Sequence, residues 1–342
     1  MTKCIPERTQ VVIVGGGVIG CSIAYHLAKE GWTDVVLLER KQLTSGTTWH
    51  AAGSIGQFRD NPQMSELASY TADLYRHILE EETGQSTGYK ANGSLNIATD
   101  WERFEELKRA VDIGNNFGCE MNVIDKGEIE RLWPMMNTED VLGGVWLPND
   151  AQANPIDCTM AFVKAARKMG VTIIEGVKVT EVLQANGKAC GVVTDQGEIQ
   201  ADFVINCGGM WGRKLGKETG VNVPLHACEH FYVVTEKIAG LTGDLPILRE
   251  QSASAYYKEE AGALLIGAFE AKAKPWGMEG IPESFCFDEL EEDWDHLMPI
   301  LEGAMHRVPV VGDIGIRKFF NGPESFTPDD RFHIGESPEL KH

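Results

Sequence analysis

Three glycines, Gly15-x-Gly17-x-x-Gly20, stand between an apolar run, VVIV at 11–14, and a segment with apolar residues at helical spacing. In that setting the first glycine permits a tight turn and the second lets a pyrophosphate approach the backbone. The third allows close packing of helix on strand. Val18 and Ile19 open the helix, whose unpaired N–H groups and positive end favour a phosphate. Glu39 closes the next apolar run 19 residues beyond Gly20, with Arg40 beside it. An acid at that place accepts ribose hydroxyls and disfavours a 2′-phosphate. The chemistry is the binding of an adenine dinucleotide, and these residues leave NAD and FAD both open. A glycine-rich turn with a surface glutamate is the plainer reading, but strand, helix and second strand stand in the order a nucleotide site needs.

Beyond Glu39 comes a run of small and hydroxyl side chains around a tryptophan and a histidine: Ser45, Gly46, Thr47, Thr48, Trp49, His50, Ala51, Ala52, Gly53 and Ser54. Such residues suit a loop running beside a cofactor toward its reactive ring. The run resembles the (S)G-[ST]-T-W-H-A-A-G hallmark of the dimethylglycine/sarcosine dehydrogenase group, within the D-amino-acid-oxidase-like flavoproteins. The resemblance implies FAD, carried covalently by His50 through an imidazole nitrogen bonded to the flavin 8α carbon. A neutral imidazole suits that role, being a good nucleophile that titrates near neutrality. Without the motif, a lone histidine is more simply a hydrogen-bonded core or surface residue.

The resemblance covers essentially the whole chain. It includes Asn92-Gly-Ser-Leu, the turn Asn206-Cys-Gly-Gly-Met-Trp211, Pro224-Leu-His-Ala-Cys-Glu-His230, Leu245-Pro-Ile-Leu-Arg249 with Tyr256-Tyr257, and Gly322-Pro-Glu-Ser-Phe-Thr-Pro-Asp329. It implies that the backbone at Val179 meets the adenine, that Trp211 lies beside the cofactor, and that His230 and Tyr256 lie on the substrate side of the flavin. The expected reaction is oxidative demethylation of an N-methylated glycine, dimethylglycine or sarcosine, by hydride transfer to FAD through an iminium. His230 and Tyr256 would orient the substrate and manage its proton. Its carboxylate calls for a paired cation, for which Arg59 and Arg317 are the candidates.

Three other functions share parts of this pattern. One is a non-catalytic regulatory flavoprotein resembling the pyruvate dehydrogenase phosphatase regulatory subunit, which lacks the flavin-linking histidine. Another is an oxygen-using amino-acid oxidase of the same fold. A plain NAD dehydrogenase would leave residues 43–53 without a role. His226, Cys228 and His230 alternate onto one side of a strand, but no fourth ligand accompanies them, so no metal is expected.

To position these residues the sequence predicts an α/β fold: a Rossmann-like FAD-binding domain interleaved with an α+β substrate domain on a mostly antiparallel sheet. The FAD-binding domain is expected over 8–90, 154–224 and 320–342, and the substrate domain over 91–153 and 225–319. Parallel strands are expected at 11–14, 35–39, 171–174 and 203–207, helices at 18–29, 63–82, 101–116 and 155–169, and five or six short strands between 171 and 209. Alternation at 231–235, 256–258 and 263–269 argues for the second sheet. The acidic run 288–295 reads as a solvated helix face.

At 342 residues the chain is long enough for two domains and a large core. Its 31 Lys+Arg against 51 Asp+Glu give a formal charge of −20, which argues against nucleic-acid partners. No apolar run reaches the ~18 residues of a membrane span. Eight scattered cysteines, from Cys4 to Cys286, suit a reducing compartment. With an N-terminus resembling neither a signal nor a transit peptide, this points to bacterial cytoplasm or mitochondrial matrix. The expected partners are a small N-methylated amino acid and an electron acceptor that the sequence does not identify. Members of the group continue past this C-terminus with a glycine-rich strand and helix, and many with a folate domain. The sequence is therefore expected to be a fragment or to be completed by another chain, with tetrahydrofolate bound only through that further domain.

Overall fold

The computed structural model describes residues 5–342; Cys4 lies outside the described residues. Strand β1 (Arg8–Val14) leads through the glycine turn into α1 (Val18–Lys29) and then β2 (Val35–Glu39), which pairs parallel to β1. Helix α1 buries Cys21, Ala24, Tyr25 and Ala28, small residues that let it lie close to the sheet, while Ile19 is 63% exposed. After β3 (Ser54–Ile55), helix α2 (Pro62–Asp73) starts at an Asn61 cap, whose side chain accepts from the Met64 N–H. A π turn (Leu74–Ile78) joins it to α3 (Leu79–Thr83), so the helix expected over 63–82 is one rod with a widened turn. The Tyr75 carbonyl in that turn accepts the Thr87 hydroxyl at 2.5 Å, an interaction from outside the helix.

The chain then crosses to a second layer. Strand β4 (Ser94–Ala98), α4 (Trp101–Asn116), β5 (Asn122–Ile124), α5 (Lys126–Leu132), β6 (Gly143–Leu147) and β7 (Ala151–Gln152) follow in order. Asn154 caps α6 (Pro155–Lys168), which returns to pack Phe162, Ala165 and Ala166 in the core shared with α1. Strands β8 (Thr172–Glu175), β9 (Val179–Ala185), β10 (Lys188–Thr194) and β11 (Gly197–Asn206) complete the first sheet, ordered β8-β2-β1-β11-β10-β9. These are four strands where the turn signals suggested five or six, because 197–206 runs on as one. Its beginning pairs antiparallel with β10 and most of its length parallel with β1, so one strand joins a parallel half to an antiparallel half.

After α7 (Gly212–Glu218) come β12 (His226–Thr235), β13 (Ile247–Glu250), β14 (Ala255–Glu260), β15 (Ala263–Ala268), α8 (Trp294–Arg307) and β16 (Ile316–Phe326). With β4, β5 and β6 they build an eight-stranded sheet, ordered β16-β12-β15-β14-β13-β4-β6-β5. Residues 320–326, assigned from sequence to the nucleotide-binding unit, here pair with β12 in this second sheet. Residues 341–342 do return to the first sheet, where Ala189 and Val204 N–H donate to the Lys341 and His342 carbonyls.

The acidic run 288–295 precedes α8 rather than forming its face. Asp293 caps the helix through the His296 N–H, and Leu290 bonds to the Asn321 carbonyl. One face of the eight-stranded sheet packs Phe231, Leu248, Tyr257 and Ile266 against Trp133 and Leu297. At the edge of that core Arg307, 1% exposed, holds Glu250 through two hydrogen bonds at 2.7 and 2.9 Å and Asp140 through two more. The opposite face carries the polar residues described next.

Candidate active site

Gly15 has φ +112, and a Cβ there would meet the Cys207 carbonyl oxygen at 2.3 Å. A Cβ on Gly20 would come 2.0 Å from the Gly15 oxygen. Both positions are therefore closed to any side chain. Gly17 caps α1 in extended conformation, and the Val18 N–H at the helix start donates to Thr48 Oγ1 at 3.1 Å. The loop thus ties to the helix end it must serve. Glu39 is buried, and its two oxygens accept from the Gly16 and Lys41 N–H groups at 2.8 and 2.9 Å. Burial raises its pKa, against those two hydrogen bonds. Arg40 stacks over Trp211 with its guanidinium 4.3 Å from the ring centroid and donates to the Glu283 carbonyl at 3.0 Å. Val179 is the first residue of β9 at the edge of the same sheet.

From Glu39 the chain passes Ser45, whose carbonyl accepts from Phe287 N–H, and Gly46, where a Cβ would sit 3.4 Å from the Trp211 ring. Thr47 donates to the Pro323 carbonyl at 3.1 Å, which anchors this loop on β16. The Thr47–His50 stretch forms a single 3-10 turn. His50 is 8% exposed, and its Nε2 is a buried atom with no hydrogen-bond partner among the described residues. The ring occupies the space over Gly322, where a Cβ would come 2.6 Å from Cε1 and Nε2. Burial lowers the His50 pKa to about 4, so the imidazole is neutral with a lone pair available. Trp49 packs edge-on against it and also keeps an unpartnered indole N–H, as does the Ser54 hydroxyl. Ala52 packs beside Tyr256 and Val234, and Ala51 stays exposed. Gly53 needs its φ of +73, with the Ala153 carbonyl 2.1 Å from its Cβ position.

Gly322 lies directly opposite His230 in the β12–β16 pairing, so the His50 ring rests on the second sheet at that position. His230 stands between two carboxylates, with Nδ1 3.8 Å from Glu270 Oε2 and Nε2 3.8 Å from Glu324 Oε2. The next row across the sheet pairs Phe320 with Tyr232, Tyr232 with Gly267, Gly267 with Tyr256, Tyr256 with Arg249 and Arg249 with Asn96. The Tyr256 ring lies over Gly267, where a Cβ would be 1.9 Å from Cζ, and burial raises the pKa of its phenol. Tyr232 stacks on Phe320 at 4.8 Å.

The structure thus brings His50, His230 and Tyr256 to one sheet face, with the glycine turn and Glu39 at the far end of the same loop system. It does not bring Arg317 there. Arg317 is exposed and alternates with Lys318 and Phe320, so it faces away from the Tyr232 row. Arg59 does approach the site, beside Arg249 and Asp150 at Gly56. Glu270, Glu324 and Arg249 have no role in the sequence reading, since Glu324 and Arg249 reach this face through strand register and Glu270 from just beyond the end of β15. Among the described residues no three His, Cys, Asp or Glu side chains form a group that could hold a metal ion. No helix among them is long and apolar enough to cross a membrane.

A glycine turn closed to side chains, the buried Glu39 carboxylate at the end of β2, and unpaired Trp49 and His50 nitrogens beside the second sheet fit FAD and the class of flavin-binding oxidoreductases. The chain belongs to the FAD dependent oxidoreductase family, whose model matches residues 10–342. It is 40% identical over 345 residues to the mitochondrial sarcosine dehydrogenase of Homo sapiens, covering 99% of this chain and 37% of that protein. It is also 40% identical to a formaldehyde-forming 4-methylaminobutanoate oxidase of Paenarthrobacter nicotinovorans, covering 99% of this chain and 41% of the other. The chain therefore spans about two fifths of the length of these relatives. Among solved structures, L-proline dehydrogenase from P. horikoshii superposes with a TM-score of 0.87 at 25% identity, covering 98% of this chain and 87% of that one.

Proposed function

We propose that these residues carry out flavin-dependent oxidative demethylation of an N-methylated glycine, dimethylglycine or sarcosine, with FAD bonded covalently to His50. The observation that carries the reading is the His50 imidazole: buried, neutral, unpaired at Nε2, and seated on Gly322 opposite His230. A structural histidine that deep would be expected to spend its ring nitrogens on hydrogen bonds.

Bound FAD supplies the acceptor for the hydride equivalent, which no side chain can take. The chain's residues prepare the amine. Its nitrogen must be neutral when the adjacent C–H bond breaks, because a protonated nitrogen cannot support the developing cation. His230 and Tyr256 lie on the face His50 addresses, and we assign them to orienting the amine and taking its proton. Glu270 and Glu324 stand on either side of the His230 ring, each with a carboxylate oxygen 3.8 Å from a ring nitrogen. The iminium product hydrolyses to formaldehyde and the demethylated amine. The seven described cysteines are free, in keeping with a bacterial cytoplasm or a mitochondrial matrix.

Two experiments test this. Flavin fluorescence on a denaturing gel, with intact mass, should show flavin retained by the parent and lost in His50→Ala. Anaerobic addition of sarcosine or dimethylglycine should bleach the flavin absorbance. Retained flavin with no bleaching by any N-methyl amino acid would instead favour a regulatory, non-catalytic flavoprotein.

A further inference from the structure

Between the end of β15 at Ala268 and the start of α8 at Trp294 the chain forms neither helix nor strand, yet it is pinned along its length. Its two ends bond to the second sheet, where Glu229 N–H donates to the Lys274 carbonyl at 2.8 Å and Leu290 N–H to the Asn321 carbonyl at 2.7 Å. The middle crosses to the nucleotide-binding layer as a strap. The Glu283 carboxylate accepts from Lys178 Nζ at 2.8 Å, next to Val179. Phe285, 2% exposed, packs its ring on Trp211. Phe287 N–H donates to the Ser45 carbonyl at 3.1 Å, and its ring stands 6.1 Å from that of Trp49. Residues 283, 285 and 287 thus meet, in order, the expected adenine end, the middle and the flavin end of the path from Glu39 to His50.

Arg40 fastens this strap. Its Nη1 donates to the Glu283 carbonyl at 3.0 Å and to the Glu283 carboxylate at 3.4 Å, and its Nη2 donates to the Phe285 carbonyl. Both terminal nitrogens of the arginine beside the ribose acid are therefore spent on the strap rather than on the glycine turn. The Glu283 carboxylate is 61% exposed, so its ion pairs add little. The charge-assisted bonds to two main-chain carbonyls are the firmer hold. Inside the strap the backbone bonds are short turns, Gly280 to Gly277 and Phe285 to Pro282. A segment with so little structure of its own opens locally once its anchors let go.

We infer that residues 276–287 are a latch over the cofactor path, fastened by Arg40, which sets how fast the dinucleotide enters and leaves. Arg40 is then a positioning residue that acts on the cofactor through the strap. For the identity of the ligand the inference rests on the reading of the glycine turn as an FAD site. Loosening a latch that does not touch the ligand raises both rates and leaves their ratio nearly unchanged. Removing a residue that binds the nucleotide raises release alone.

The test uses the full chain carrying His50→Ala, so that FAD exchange is reversible. Association and release are read by stopped-flow flavin fluorescence, and hydrogen exchange of residues 276–287 is read on the flavin-free chain by mass spectrometry. Arg40→Met should speed exchange in the strap and raise both FAD rates about 10- to 150-fold, the range for loss of a charge-assisted hydrogen bond. Arg40→Lys should recover part of the change. Glu283→Ala, at an exposed position and safer for folding, should act in the same direction by about 2- to 5-fold. Faster release alone, unchanged exchange in the strap, or a loosened strap with unchanged FAD rates would each overturn the latch. Should Arg40→Met fail to fold, Glu283→Ala decides by the same criteria. If the chain takes up no FAD, the FAD reading falls and the same rates measured with NAD decide the latch; uptake of neither overturns both.

Discussion

The His50 imidazole fills the place where a side chain on Gly322 would stand, with Cε1 and Nε2 each 2.6 Å from that Cβ position. Because Gly322 pairs with His230, the missing side chain lets the His50 ring stand at the strand position opposite His230. Gly322→Ala should therefore displace the His50 ring. Overpacking of this kind costs about 1–3 kcal/mol. Urea denaturation should show that loss, and gel fluorescence should show loss of covalent flavin. Normal flavin attachment in the alanine variant would mean that the ring reaches the cofactor from another position.

The His50 pKa, lowered from 6.5 to about 4 by burial, sets a pH dependence for the flavin-free chain. Between these values the unfolded chain binds a proton that the folded chain refuses. The contribution is present above pH 6.5 and is lost as the pH falls toward 4. Its full size is about 3 kcal/mol. Denaturation midpoints of the parent and of His50→Asn, measured across this range, should converge as the pH falls. Parallel profiles would show that the ring is solvated.

Gly15→Ala should abolish cofactor binding. The substitution meets the Cys207 carbonyl at 2.3 Å and adopts a φ of +112 that side-chain-bearing residues rarely reach. Dialysis followed by absorbance at the flavin band would measure it. The same change at Gly31, where a Cβ meets nothing within 4 Å, should leave flavin content unaltered.

Arg307→Ala leaves Glu250 with a buried, unpaired charge, a defect of about 3–5 kcal/mol. Asp140 is only partly buried and keeps access to water, so it adds little. The doubly substituted Arg307→Met, Glu250→Met chain should recover much of the loss in urea denaturation. No recovery would indicate that the hydrogen bond from Arg307 Nη1 to the Asn137 carbonyl, at 2.5 Å, carries the stability.

The residues legible in the sequence are those whose roles depend on neighbours in the chain. The Gly15–Gly20 turn, Glu39 and the 45–54 run lie within one strand–helix–strand–loop passage. Local pattern alone places them against one another, as the Val18 bond to Thr48 and the Gly16 bond to Glu39 bear out. Arg249 and Arg317 show the limit. Both are arginines in strands, and which face each takes depends on a period of two fixed by pairing with distant segments. Arg249 finds its row through Tyr256 and Asn96, while Arg317 falls one position out of step with Lys318. In α1 the helical spacing holds, and the buried side carries Cys21, Ala24, Tyr25 and Ala28 while Ile19 is exposed, because close packing on the sheet favours small residues.

Within the eight-stranded sheet, β4 and β13 are parallel neighbours joined at residues 94–96 and 247–249. All four strands β8 to β11 of the other sheet are synthesised between them. No continuous stretch of chain contains the whole eight-stranded sheet without also containing most of its neighbour. Neither layer can be cut out by one cleavage, and a nascent chain that has not reached β13 has no Arg249 to set beside Asn96. Contacts this far apart form late, after the loop between them has been closed. Setting Asn96 beside Arg249 therefore requires closing a loop that carries four strands of the other sheet.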